Sequence, residues 1–334
     1  MNSNWLLVAV SVLAVALAGT IGYLVGVRWP LSPRQQQSGP GSQQGPSNQQ
    51  GGPQQDKTYF SATADPKSWP VGTLAAEQAS VPDIVELSAD LGDYKKGNLL
   101  IYYVDFAEFK GDGSEGVSVI ASTDGGKTWG TKQQITLTGK KNKGAAVDPS
   151  VVQLADGRMR LYFFGSETTS GDPAQAEGPH VVYSAISSDG VRFALEDGER
   201  FAEELTDPEV VFYKNQWYMY YSMGQSTGLA VSSDGLTFKK QQITGGDVGG
   251  VPGALVVDGN VRLYGCSRSG IASGVASDGV NFQKDTDDIL GGKVQGIVCD
   301  PAIVRSATGT YFAVYKQRDE TQQPGQQQPG GNQQ

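Results

Sequence analysis

The sequence predicts an all-β fold, a five-bladed β-propeller closed by its own N-terminal strands and preceded by one transmembrane helix. Three observations predict the ring. A short acidic turn recurs five times, a proline-led strand start recurs five times, and the two alternate in a fixed order. The turns are centred on Asp65, Asp124, Asp189, Asp234 and Asp278, and an aromatic residue follows each aspartate by four or five positions: Trp69, Trp129, Phe193, Phe238 and Phe282. The strand starts are Val81-Pro-Asp83, Asp148-Pro-Ser150, Asp207-Pro-Glu209, Val251-Pro-Gly253 and Asp300-Pro-Ala302. Each leads through a turn to an aromatic or apolar strand such as Leu161-Tyr-Phe-Phe164 or Trp217-Tyr-Met-Tyr-Tyr221. Units of roughly 40 to 65 residues made of short strands and turns are the signature of propeller blades.

The order of the pieces predicts how the ring closes. The first acidic turn, at Asp65, precedes any proline-led strand, and the last strand start, at Asp300, has no acidic turn after it. Residues 57–72 therefore supply the outer strands of the fifth blade, which removes exposed sheet edges. In the turns themselves, the Asp and Ser side chains accept backbone N–H groups, glycine takes a positive φ and the aromatic packs between strands. The five turns read as architecture.

Outside the ring, residues 1–4 form a short flank and 5–27 a run without a charge. That run is long enough to cross a hydrocarbon core of ~30 Å as a single anchor. A cleaved signal peptide ending near Ala16-Leu-Ala18 is the alternative, but apolar sequence continues past it through Val27. Residues 28–56 and 320–334 are rich in Gln, Gly, Pro and Ser, a composition expected to be disordered. The first of these would be a tether of ~25 to 30 Å reach. The propeller is assigned to 57–319. A formal charge of −9 without basic, aromatic-laced patches argues against nucleic acid as a partner.

Cys266 and Cys299, the only cysteines, fall at the same rim of adjacent blades, so either a disulfide or two separate thiols fits. His180 is the sole histidine, placed on the loop before the third strand of blade two, and one histidine excludes a multi-histidine metal site. Residues flanking each proline are two apart, which in a regular strand points them the same way. They should form two tiers at the channel mouth: Val81, Asp148, Asp207, Val251 and Asp300 in one, and Asp83, Ser150, Glu209, Gly253 and Ala302 in the other. The alternative for Asp148, Asp207 and Asp300 is that each carboxylate simply caps its strand entrance. No cofactor is required, although calcium would suit an axial ring of carboxylates. Asp105, Phe106, Ser166, Ser222 and Arg268, at or just past the ends of second strands, are candidate lining for a ligand pocket, with His180 and Asp300 beside them.

With its Asp-Pro strand starts and five blades, the chain resembles the five-bladed propeller glycoside hydrolases, the clan of families 43, 32 and 62 that contains arabinanases, xylosidases and invertases. The turn Ser122 to Trp129 is also similar to the Asp box of sialidases, though neither an Arg-Ile-Pro motif nor an arginine triad is recognisable. The resemblance implies a catalytic base at Asp83, a tuning aspartate at Asp148 and a general acid at Glu209, with Asp207 competing for that role. Val81 and Asp207 depart from it, standing where an aspartate and a glutamate are usual. It further implies a monomeric, carbohydrate-active protein on the extracytoplasmic side of a cell membrane. The alternatives are a non-catalytic propeller that binds glycan or protein, and a sialidase-like exo-glycosidase.

Overall fold

A computed structural model describes residues 56–108, 116–139, 145–166, 180–203, 205–245 and 247–319. The expected anchor, most of the linker, the tail and the loop leading into His180 lie outside the described residues. Among the described residues no helix is long and apolar enough to cross a membrane.

Five sheets make five blades. The chain opens with β1 (Lys57–Thr63) and β2 (Thr73–Glu77). Blade one is β3 (Ala79–Glu86), β4 (Leu99–Asp105), β5 (Val117–Ser122) and β6 (Gln133–Gln134). After β7 (Thr136–Thr138), blade two runs β8 (Ala145–Gln153), β9 (Met159–Ser166), β10 (His180–Ser187) and β11 (Arg192–Leu195), with β12 (Phe201–Glu203) also on β10. Blade three is β13 (Thr206–Tyr213), β14 (Gln216–Met223), β15 (Ser226–Ser232) and β16 (Lys239–Gln241). After β17 (Thr244–Gly245), blade four is β18 (Gly250–Val257), β19 (Asn260–Ser267), β20 (Gly270–Ala276) and β21 (Asn281–Thr286).

Blade five has the order β2-β1-β23-β22, where β22 is Ile297–Arg305 and β23 is Tyr311–Arg318. The N-terminal strands complete the last blade, as their phase predicts. Strand β1 pairs β23 without a register break from Lys57 opposite Gln317 to Thr63 opposite Tyr311. Two boundaries differ from expectation. The outermost strand is Thr73–Glu77, beyond residue 72. Asp56, assigned to the linker, is buried and takes a bidentate pair from Arg318, while its carbonyl accepts the Ala79 N–H. A buried carboxylate needs a partner, and this one fixes the start of the ring.

The core is five apolar slabs, each between neighbouring blades. One repeated contact accounts for much of their geometry. The Tyr102 hydroxyl donates to the Gly190 carbonyl at 2.8 Å, Tyr162 to Gly235 at 2.9 Å, Tyr220 to Gly279 at 2.8 Å and Tyr264 to Pro66 at 3.0 Å. In each case a second-strand tyrosine bonds the acidic turn of the next blade, and its ring meets that turn's aromatic. The turns are built as their sequence implies. In the second, third and fourth, the Ser hydroxyl bonds the Asp carboxylate, and that carboxylate accepts two following N–H groups in each case. In the fifth turn Asp278 accepts the Val280 and Asn281 N–H groups and the Asn281 side-chain amide. Such bonds hold Asp234 and Asp278 down to about 2, and Asp124 and Asp189 below the usual carboxylate value. Val314 opposes Ala302 where Tyr102 opposes Asp83, so the seam between blades five and one lacks this tyrosine. There Phe60 packs edge-on to Trp129 instead, with centroids 5.3 Å apart.

Candidate functional site

Each innermost strand begins with the same irregularity. The pairing register slips between Ser80 and Asp83, Val147 and Ser150, Thr206 and Glu209, Gly250 and Gly253, and Cys299 and Ala302. The residue before proline sits at positive φ in all five, from 44° at Val81 to 52° at Asp300. Proline has no N–H for the ladder and keeps its predecessor out of the ordinary α region, so the chain bulges. This corrects the expectation of regular strands whose pre-proline and post-proline side chains point alike. The two tiers exist, but a bulge separates them.

The inner tier is a set of inter-blade bonds. The Asp83 Oδ2 accepts the Val151 N–H at 2.6 Å, the Ser150 Oγ accepts the Val210 N–H at 3.0 Å, and the Glu209 Oε1 accepts the Ala254 N–H at 3.1 Å. Each side chain thus reaches the backbone one blade onward. The remaining carboxylate oxygens are also engaged, Asp83 Oδ1 by the Ile84 N–H at 2.7 Å and Glu209 Oε2 by the Ser150 hydroxyl at 3.3 Å. Gly253 has no side chain to offer, and a Cβ there would fall 2.0 Å from the Pro301 carbonyl oxygen. Burial pushes the Asp83 carboxyl up to about 7. Burial, and then the Asp83 charge, hold Glu209 well above its ordinary value.

The outer tier gathers Asp148, Asp207 and Asp300 around one lysine. Lys316 Nζ lies 2.7 Å from Asp300 Oδ2, which also takes the Val81 N–H at 3.0 Å and the Ser80 hydroxyl at 3.2 Å. Burial depresses the Lys316 ammonium, but the charge and hydrogen bond of Asp300, with the charges of Asp56 and Asp207, together outweigh it and the net shift is upward. Asp148 Oδ2 faces the Asp207 N–H at 3.3 Å, and the Thr206 hydroxyl donates to Asp207 Oδ2 at 2.6 Å. Burial first, and the charges of Asp207 and Asp300 second, hold Asp148 well above the usual range. Burial and then Asp300 bring Asp207 to about 6. Asp207, Asp300, Asp83 and Glu209, with all five strand-start prolines, line an axial cavity of about 20 Å³, room for a single water.

The other expected residues divide. Asp105 is buried and occupied by Lys132 Nζ and the Ser118 hydroxyl, each at 2.8 Å, and by the Ala107 N–H. Phe106 packs with Val81 on the slab between blades two and three. His180 is the first residue of β10 rather than a loop residue, and its Nδ1 contacts the Leu205 carbonyl. The Ser222 hydroxyl oxygen accepts the Val251 N–H at 3.2 Å. Cys266 and Cys299 form a disulfide, with Cα atoms 5.1 Å apart, and Cys266 Sγ receives the Asp300 N–H at 3.2 Å. Arg268 stands apart, exposed on the β19–β20 turn beside a separate cavity. No motif in the sequence marks Lys316. It occupies the repeat position of Val104, Ser222 and Cys266, and aligning β23 with the other second strands would have exposed a lone cation there.

No protein-family model and no curated protein sequence matches this chain. Among solved structures, the ring is similar to an alpha-L-arabinofuranosidase from Fusarium graminearum at 14% identity, over 80% of this chain and 93% of that one, with a TM-score of 0.49. An alpha-L-arabinanase from Penicillium chrysogenum aligns at 12% identity over 78% and 93%, with a TM-score of 0.48. A sialidase from Trypanosoma rangeli aligns at 11% over 74% and 56%, with a TM-score of 0.44. The likeness is one of fold, and no residue role is taken from it.

Proposed function

We propose that this chain is a carbohydrate-active propeller of glycosidase type, tethered through its N-terminal apolar segment on the extracytoplasmic side of a membrane, and working at the mouth of its channel. The observation that carries this reading is a pair of neighbouring carboxyls held at different proton affinities. Asp148 is pushed well above the usual range, whereas Asp207 stays near 6. Asp148 thus holds its proton more tightly than Asp207, the ordering of acid and base that glycoside hydrolysis requires. Asp148 is assigned as the proton donor to the leaving oxygen and Asp207 as the base for a water in the axial cavity. Asp83 and Glu209, expected as base and acid, have all four oxygens engaged and are assigned to holding the blades in register. Lys316 supplies the positive charge that an axial calcium would otherwise bring, so no ion is assigned. The disulfide suits an oxidising compartment.

The test is hydrolysis of nitrophenyl glycosides, arabinan and xylan by the full chain. Asp148→Asn and Asp207→Asn should each lower kcat by roughly 10²- to 10⁴-fold, the usual worth of a general acid or base. Turnover that survives both substitutions would sink the assignment. A second reading, a non-catalytic glycan binder, is favoured by the Asp300 to Lys316 pair, which neutralises part of the tier. It predicts glycan-array binding with no turnover on any substrate.

A further inference from the structure

A cavity of about 290 Å³ lies between blades four and five. Its walls are the turn from Ser267 to Gly270, the segment from Asp288 to Gly296, and Ile297 and Val298 at the start of β22. It shares no lining residue with the axial cavity, and the disulfide borders it, since Cys266 immediately precedes Ser267 and Cys299 immediately follows Val298. A covalent bond thus fixes two of its walls, which lowers the ordering cost of binding there. The volume is just under the ~300 to 1,000 Å³ typical of small-molecule sites, suited to a single ring rather than a long segment of polymer.

The lining is divided chemically. Leu290 is buried and Val294 and Val298 are partly buried, which gives an apolar wall. Arg268 is exposed at the lip, and among the described residues no carboxylate bonds its guanidinium. The nearby acids are already occupied. Asp287 pairs with Lys284 at 2.7 Å, and Asp288 accepts the Leu290 N–H at 3.0 Å and the Gly292 N–H at 2.7 Å. An uncompensated guanidinium above an apolar wall complements a ring that has a C–H face and one carboxylate, since the planar fork binds a carboxylate through two parallel bonds.

We propose that this cavity binds a hexuronate unit of an acidic glycan, with Arg268 taking its carboxylate. The proposal rests on the reading of this face as glycan-binding and names the class of sugar it selects. Trigalacturonate, its methyl ester and sodium glucuronate would be titrated into the full chain by calorimetry. At least one free acid should bind, and the methyl ester at least tenfold more weakly than trigalacturonate. Arg268→Ala should lose at least tenfold in affinity. Arg268→Lys, which keeps the charge without the fork, should fall between. Circular dichroism of both variants should match the wild type, as expected for an exposed turn residue. Equal binding of acid and ester, undiminished binding by Arg268→Ala, or no binding of either acid would overturn the site. The two readings fail separately: turnover of neutral glycosides without uronate binding refutes only this site, and uronate binding without turnover supports it while refuting the glycosidase.

Discussion

At the residue scale, Asp83 shows how burial converts a carboxyl into a pH-dependent strut. It is 6% exposed and pushed from the usual 3.8 to about 7, chiefly by loss of water and against two N–H bonds that favour its charge. In the unfolded chain the proton leaves near pH 4, whereas the folded chain keeps it to about 7. Across that window the folded state binds more protons, so stability falls as pH rises and levels off above about 7. A shift of this size is worth up to about 4 kcal/mol at 1.36 kcal/mol per unit. Asp83→Asn has no proton to lose. Relative to wild type it should gain stability between pH 5 and pH 8, measured as the urea midpoint at each pH. An unchanged difference across that range would mean that Asp83 is ionised throughout.

At the scale of elements, the repeated tyrosine-to-turn bond sets how one blade meets the next. Tyr162→Phe removes the hydroxyl bonded to Gly235 and should cost about 1 kcal/mol, the net worth of a buried hydrogen bond. Gly235→Ala should cost more. That glycine has φ 72°, and an added Cβ would come within 3.0 Å of both Trp217 and the Tyr162 hydroxyl. Thermal unfolding should rank wild type above Tyr162→Phe, and Tyr162→Phe above Gly235→Ala. The pre-proline bulges work at the same scale. Five residues held at positive φ store strain, and the N–H of Val81, Asp207, Val251 and Asp300 is in each case taken up by a side chain of the preceding blade.

At the scale of the whole molecule, closure depends on chain segments that are far apart in sequence. Deleting residues 56–78 would strip β1 and β2 from blade five, leave β23 as an open edge and remove the partner of Arg318. An uncovered edge strand pairs with other chains, so the truncated protein should aggregate. Light scattering after expression checks this, and a monodisperse truncated ring would refute the role given to that seam.

The sequence by itself determined the number of blades, the phase of closure and the structural character of the acidic turns. These follow from local chemistry repeated at a fixed period: turn geometry around Asp and Gly, and strand patterning around Pro. Only the tertiary structure decided which carboxyl oxygens are already taken and which sit beside Lys316. Asp83 and Glu209 stand out in the repeat as acids where neighbours are small, yet their partners are N–H groups of Val151 and Ala254 in the next blade. A carboxyl's protonation depends on the water, charges and donors within a few ångströms, and in a closed ring those come from residues remote along the chain.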